Sequence, residues 1–543
     1  MDPPGDRRLT MAGHRMKRLA SFRWRRSNAT IDSVKSVLRF GRGDDGRYRP
    51  NFYSNPMNLF TSRWSKSQKV ICQGVFMAKP QLRETATEIS PTRTLAEFIA
   101  EFSYKDIPPE VLSHIKFCFI DSLGCALFGS TLPWGKIITS FTKELGKGKG
   151  ALIWGDGAEV PSTSAPLANG TFIHSFEMDD LHRVGVIHPG SEAIPAADAL
   201  VRYLSNVDGK RLLTAVVAGY EVGCRVGMTG GAAQLRRGFH PSATSGTFAA
   251  GAAAAKMLRL NPMKTVHALG IAGTQAAGLM AAQHASMVKR MHPGRSAQAG
   301  VYGALLATKG FTGIEDVLEA PYGGFCSTFI DKPDLSHLTD RLGERFETLN
   351  VGFKPYPCCG SNHTSIDALK KILHEHPEVN ADNVDKIRIR TTRATKLHVG
   401  WPYEPKSMTT AQMNLLFCVA ILLHDREFFV DQVTNKSIRR ADILATTKKI
   451  EVIADPEFEA LGDEGRHGVD LEVQLRDGKS YREKVLHAKG SDKHPMTREE
   501  VLKKFRLLAS RVLSRPRVEK LESTLLNLEK LDDARQIGKL LTA

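Results

Sequence analysis

Between Ala243 and Ala285 the chain carries so few bulky side chains that its backbone must pack directly against other backbone. Two runs dominate this region: Phe248-Ala249-Ala250-Gly251-Ala252-Ala253-Ala254-Ala255, and Ala268-Leu269-Gly270-Ile271-Ala272-Gly273-Thr274-Gln275-Ala276-Ala277-Gly278. Alanine is the strongest helix former, and small side chains let helix axes approach closely. The runs therefore predict central, buried helices whose glycines serve packing rather than phosphate binding. Gly223 to Gly231 is also glycine-rich. It lacks the strand–turn–helix context of a dinucleotide fingerprint.

Other helices are expected around this centre. Leu95, Phe98, Ile99 and Phe102 recur at helical spacing from Thr94 onward. Ile107-Pro108-Pro109-Glu110 opens another helix with proline in its first turn, and Leu112, Ile115, Phe119 and Leu123 share its face. The pattern changes after Asn350. Lys386 to Arg390 alternates like a strand, as do Val469, Leu471, Val473 and Leu475, followed by Asp477-Gly478 turn chemistry and a partner strand at Tyr481 to Val485. Helices are expected at Ser365 to His374 and Gln412 to Leu423, and a capping box of Thr497 and Glu500 starts the C-terminal helices. The reading is a mainly α chain with four parts. A basic tail (1–93) precedes a large all-helical domain (94–345); a smaller α+β lid domain (346–490) follows, and helices at 491–543 rejoin the first domain. Two domains bearing polar motifs predict a cleft site closed by a lid.

The net charge of +17 is concentrated at one end. Residues 1–76 hold 16 Lys/Arg against 5 Asp/Glu, a net of +11, which leaves a mildly basic body. Nucleic acid is therefore not the expected partner. The tail has the composition of a disordered segment or a mitochondrial presequence, and Met77-Ala78-Lys79 offers a second start. Eight cysteines without a CxxC pair predict no disulfide framework and a reducing, intracellular setting: cytoplasmic, or mitochondrial if the tail is a presequence. No uninterrupted apolar run predicts a membrane span.

Four stretches gather the chemistry. They are Glu177-Met178-Asp179-Asp180-Leu181-His182 with His188-Pro189-Gly190; Arg237-Gly238-Phe239-His240-Pro241; Lys289-Arg290-Met291-His292-Pro293-Gly294; and Lys354-Pro355-Tyr356-Pro357-Cys358-Cys359 with His363. Carboxylates, imidazoles that titrate near neutrality and fixed cations suit acid/base work on a small polyanion. A metal hydrolase using Glu177, Asp180, His182 and His188 is disfavoured, because their spacing fits no helical ligand motif such as HExxH. Adjacent Cys358 and Cys359 do not have the spacing of an iron–sulfur site.

These motifs, taken in order with Asp121-Ser122-Leu123-Gly124 and Tyr322-Gly323-Gly324-Phe325, resemble the MmgE/PrpD family of 2-methylcitrate dehydratases and cis-aconitate decarboxylases. The resemblance spans roughly residues 94–543. It is nearest to the fungal cis-aconitate decarboxylases, through the seven residues between Asp180 and His188, Met287-Val288-Lys289-Arg290 and Gly400-Trp401. It implies a helical domain with a lid domain, a homodimer, a tricarboxylate substrate, and no metal or organic cofactor. Carried over by position, His188, His240 and Lys289 are catalytic. Glu177, Asp180, Arg290, His292, Lys354, Cys359, His363 and Phe417 contact substrate. Phe417 stands where a Tyr hydroxyl is usual in the family, which favours an alkylated substrate. The expected activity is decarboxylation of cis-aconitate or a close alkylated analogue. Dehydration of 2-methylcitrate or an alkylcitrate is the alternative. A reading from another class is an inactive family member acting as a basic-tailed binding protein.

Overall fold

The computed structural model describes residues 90–542 apart from 147, 149 and 463, so expectations for the basic tail lie outside the described residues. Helix α1 (Pro91–Glu101) starts on a Ser90 cap and Pro91. Helix α2 (Pro109–Thr131) starts on Pro109 and is long and apolar enough to cross a membrane by length and composition. It is instead a buried core helix that carries Asp121 at its middle.

The centre is built as the small-residue runs predict. Helices α3 (Ala165–Ile173), α4 (Pro189–Val201), α5 (Gly209–Met228), α6 (Gly246–Met257), α7 (Pro262–Gly273) and α8 (Val288–Thr308) pack on one another, with α6 buried along nearly its whole length. Contact is backbone to backbone. A Cβ on Gly300 of α8 would lie 2.4 Å from the Ala250 carbonyl carbon, and one on Gly223 of α5 would lie 2.5 Å from the Ala249 Cβ. No larger residue fits at either position without moving a helix.

Beyond Leu181–His182 (β1), which pairs with Val351–Gly352 (β2), the smaller α+β part is a four-stranded sheet. Its strands are β3 (Val384–Thr391), β4 (Ile450–Ala454), β5 (Val469–Leu475) and β6 (Ser480–Val485), in the order β4-β3-β5-β6. β3 runs parallel to β4 and antiparallel to β5. The expected alternation places Ile387 and Ile389 opposite Val473 and Leu471, all fully buried. Helix α9 (His363–Glu375) packs on β5 and β6.

The helix expected over Gln412 to Leu423 is two helices. A short one ends at Gln412, Asn414 accepts a hydrogen bond from the Phe417 amide, and α10 (Leu415–Asp425) begins there. The capping box at Thr497 and Glu500 is present and opens α11 (Arg498–Ala509), which packs on α2. Seven cysteines among the described residues are free and buried.

Candidate active site

The site forms where α3 runs out. His174 opens a single 3-10 turn ending at Phe176, and Glu177 then takes a left-handed backbone conformation, φ 57° and ψ 35°. A non-glycine residue there costs about 1–3 kcal/mol and persists only where surrounding contacts hold it. Here the contacts are cations. Glu177 Oε1 lies 2.5 Å from Lys289 Nζ and 3.4 Å from Arg290 Nη1, and Oε2 lies 3.4 Å from Lys354 Nζ. Burial alone would raise the Glu177 pKa, yet Lys289 and Lys354 hold it well below the usual carboxylate range. Three cations around one carboxylate leave a surplus of positive charge in a buried place.

Four imidazoles stand in a row beside it. The ring of His174 lies 4.7 Å from that of His188 and 5.5 Å from that of His240, and His240 lies 5.3 Å from His292. Asp179 ties two of them together, with Oδ2 2.9 Å from His174 Nδ1 and 3.3 Å from His188 Nδ1. Lys289 donates to His174 Nε2 at 3.2 Å, so the ring's own proton sits on Nδ1 and is given to Asp179. His188 Nδ1 also bonds the Asp180 carbonyl at 2.7 Å, which leaves Nε2 for the cavity. Burial lowers His174 and His292 to about 4 and takes His240 well below its ordinary value, with Lys289 adding to the effect. His174, His240 and His292 are therefore neutral in the empty site at neutral pH.

His174, Asp179 and His188 also offer three metal-ligand atoms within 4.8 Å of one another. Their bonding argues against an ion there. His174 Nδ1 carries a proton, Asp179 Oδ2 already accepts from it, and the Lys289 ammonium lies against the same ring.

A cavity of about 70 Å³ is lined by Glu177, His188, His240, Lys289, Lys354 and Cys359 among others. The structure thus brings together all three residues expected to be catalytic and three of those expected to contact substrate. It shares Leu235, Met280, Ser361 and His398 as lining with a neighbouring outer space of about 660 Å³.

The other five expected contacts stand behind or beside the cavity. Arg290 is fully buried behind Glu177, bonded to Thr409 and Gln412 and lying over the Trp134 ring. Asp180 accepts from the Gly190 amide and the Tyr220 hydroxyl, and burial pushes its pKa well above the usual range, so it anchors the start of α4. His292 backs His240 through a 3.1 Å Nδ1–Nδ1 contact. His363 bonds the Cys358 carbonyl and faces a neighbouring cavity shared with Lys354. Phe417 is fully buried against the Tyr403 ring and lines no part of the site. His182, read as possible chemistry, pairs with Glu347 instead.

Sequence reasoning missed His174 as a site residue and gave Asp179 no role. The available signal was local: His174 precedes Glu177 by three positions and Asp179 by five, so a single turn gathers all three. Arg183, His398, Arg466 and His467 also line the cavity, and nothing in their spacing marks them.

Residues 93–338 match the MmgE/PrpD N-terminal domain, and residues 356–530 match the MmgE/PrpD C-terminal domain. The chain belongs to the MmgE/PrpD family. Among its relatives is a cis-aconitate decarboxylase-like protein, oryM, of Aspergillus oryzae, 32% identical over 84% of this chain and 99% of that protein. The cis-aconitate decarboxylase of Aspergillus terreus is 30% identical over 83% of this chain and 95% of its own length. That of Homo sapiens is 28% identical over 83% and 94%. This MmgE/PrpD member therefore has the framework of a lyase, and the buried cations and imidazoles occupy its two-domain scaffold where the ordered motifs converge.

Proposed function

We propose that the chain is a cofactor-independent carboxy-lyase that converts cis-aconitate, or a close analogue, into the itaconate-type product. The observation that carries this reading is the surplus of buried positive charge around Glu177, placed directly beside neutral imidazoles. A tricarboxylate brings close to three negative charges, and Lys289 and Lys354 lie where they neutralise part of that load. The anion also raises the pKa of a neighbouring buried imidazole, so His240 gains a proton as substrate binds.

The reaction then needs one bond broken and one proton delivered. The bond from the allylic methylene to its carboxylate breaks and carbon dioxide leaves. The electron pair enters the allyl system, the double bond moves to the methylene carbon, and an imidazolium gives its proton to the former vinyl carbon. His188 Nε2 and His240 line the cavity from which that proton is delivered, and Asp179 orients His188 through Nδ1. Positioned proton transfer is worth about 10²–10⁴-fold. His188→Asn and His240→Asn, each assayed for carbon dioxide release, should lose activity in that range; full activity in both contradicts the assignment.

Dehydration of a citrate-type acid is the second reading, since the same groups can remove an α-proton and assist loss of hydroxide. The names of the relatives favour decarboxylation.

A further inference from the structure

Lys504 lies on α11, which follows the sheet region in the chain and packs back against α2. Its side chain is buried, and its ammonium donates to Asp121 Oδ1 at 2.6 Å and to the Met178 carbonyl. Met178 sits between Glu177 and Asp179, the two carboxylates that organise the cations and the imidazoles. Glu177 holds its left-handed backbone one residue before the bonded carbonyl. Asp121 is buried in the middle of α2, and its second oxygen has no hydrogen-bond partner. Neither Lys504 nor Asp121 lines the cavity or has a part in the reaction described above.

We propose that Lys504, held by Asp121, is a positioning residue that clamps the Met178 carbonyl and so fixes the strained 177–179 turn. The turn aims Glu177 at Lys289 and Asp179 at His174 and His188. A helix from the far end of the chain thereby sets the geometry of a loop more than 300 residues earlier. The inference rests on reading this cavity as the active site.

The test uses the full chain and three variants: Lys504→Met, Lys504→Arg and Asp121→Asn. Steady-state kinetics with pH profiles are measured alongside amide hydrogen exchange of peptides spanning 176–182 and of α6. A misplacement of about 1 Å in a catalytic group costs on the order of 10²-fold. Lys504→Met should lower kcat by about that factor, displace the acid limb of the pH profile, and speed exchange in 176–182 while α6 is unchanged. Lys504→Arg should recover much of the loss, and Asp121→Asn should show a smaller change in the same direction. If Lys504→Met does not fold, the other two variants decide by the same local exchange. Exchange that rises evenly over the protein, or a folded Lys504→Met with wild-type kcat and pH profile, overturns the proposal. A wild-type chain that turns over none of the tricarboxylates overturns the proposed function instead, and the exchange data then decide the clamp alone.

Discussion

Lys289 touches two different parts of the site, Glu177 Oε1 and His174 Nε2, so its removal disturbs both charge balance and proton placement. Lys289→Met should reduce kcat/KM by about 10²–10³-fold in a decarboxylation assay, as losing a preorganised charge contact does elsewhere; a change under about threefold would remove it from the mechanism. The neutral imidazoles give a pH prediction with a definite sign. His174 and His292 sit near 4 and burial takes His240 well below its ordinary value, so near neutrality the empty site holds all three as neutral imidazoles. A bound trianion raises their pKa, so binding takes up a proton near neutrality and weakens as pH rises. Calorimetry of citrate binding in two buffers of different ionisation enthalpy should show that uptake; identical enthalpies would contradict it. Which residues belong to the site was partly legible from their types. His188, His240 and Lys289 stood out because their motifs occur together in order and fall on the family's active-site positions; any one of them alone reads as a turn histidine or a solvated cation. His174 did not, because a histidine at the end of an apolar helix is ordinary until the turn that follows it is seen.

Helix α8 shows how an element can carry both fold and chemistry. Its first turn presents Lys289 and Arg290, and its fourth residue beyond Arg290, Gly294, lies against α3. A Cβ on Gly294 would sit 2.3 Å from the Leu167 carbonyl oxygen and 2.6 Å from Thr171 Oγ1. Gly294→Ala should therefore destabilise the protein by about 1–3 kcal/mol, as overpacking does, and lower activity by shifting Lys289 away from Glu177. Thermal unfolding with unchanged midpoint would show the helices can part at no cost. Helix α10 corrects an expectation of the same kind. The apolar run through Gln412 to Leu423 hides a break that only Asn414, as a cap, reveals, and the break turns Phe417 into the core against Tyr403. Phe417→Tyr should then leave the ratio of activities on cis-aconitate and an alkylated analogue unchanged. It should cost about 1–3 kcal/mol for burying an unpaired hydroxyl; a changed ratio would return Phe417 to the site. The elements themselves were legible where a local device fixes them: Pro109 at a helix start, the box of Thr497 and Glu500, the alternation of β3 and β5. Which faces meet was not, because that depends on close approaches such as Gly300 on Ala250.

At the scale of the whole molecule the site is assembled from distant segments. Glu177 belongs to the helical part, Lys354 precedes the sheet region, and Lys504 returns from the C-terminal helices, yet all three converge on one turn. Ordered motifs announced the family and its lyase chemistry; they carried no information on Arg466 and His467, which line the cavity from the sheet side. The family resemblance implies a homodimer, and light scattering should give twice the 59.8 kDa chain mass; a monomeric mass at micromolar concentration would contradict that. On the proposed reading, fixed cations and imidazoles alone suffice to take carbon dioxide from an aconitate-type acid. A carbon-detected NMR time course of the purified protein in EDTA, with cis-aconitate, citrate and 2-methylcitrate supplied separately, tests it most directly. One cis-aconitate carboxylate signal should be lost as itaconate grows, with no turnover of the hydroxy acids. Conversion of a hydroxy acid to its alkene without loss of carbon, or activity abolished by the chelator, would contradict that reading.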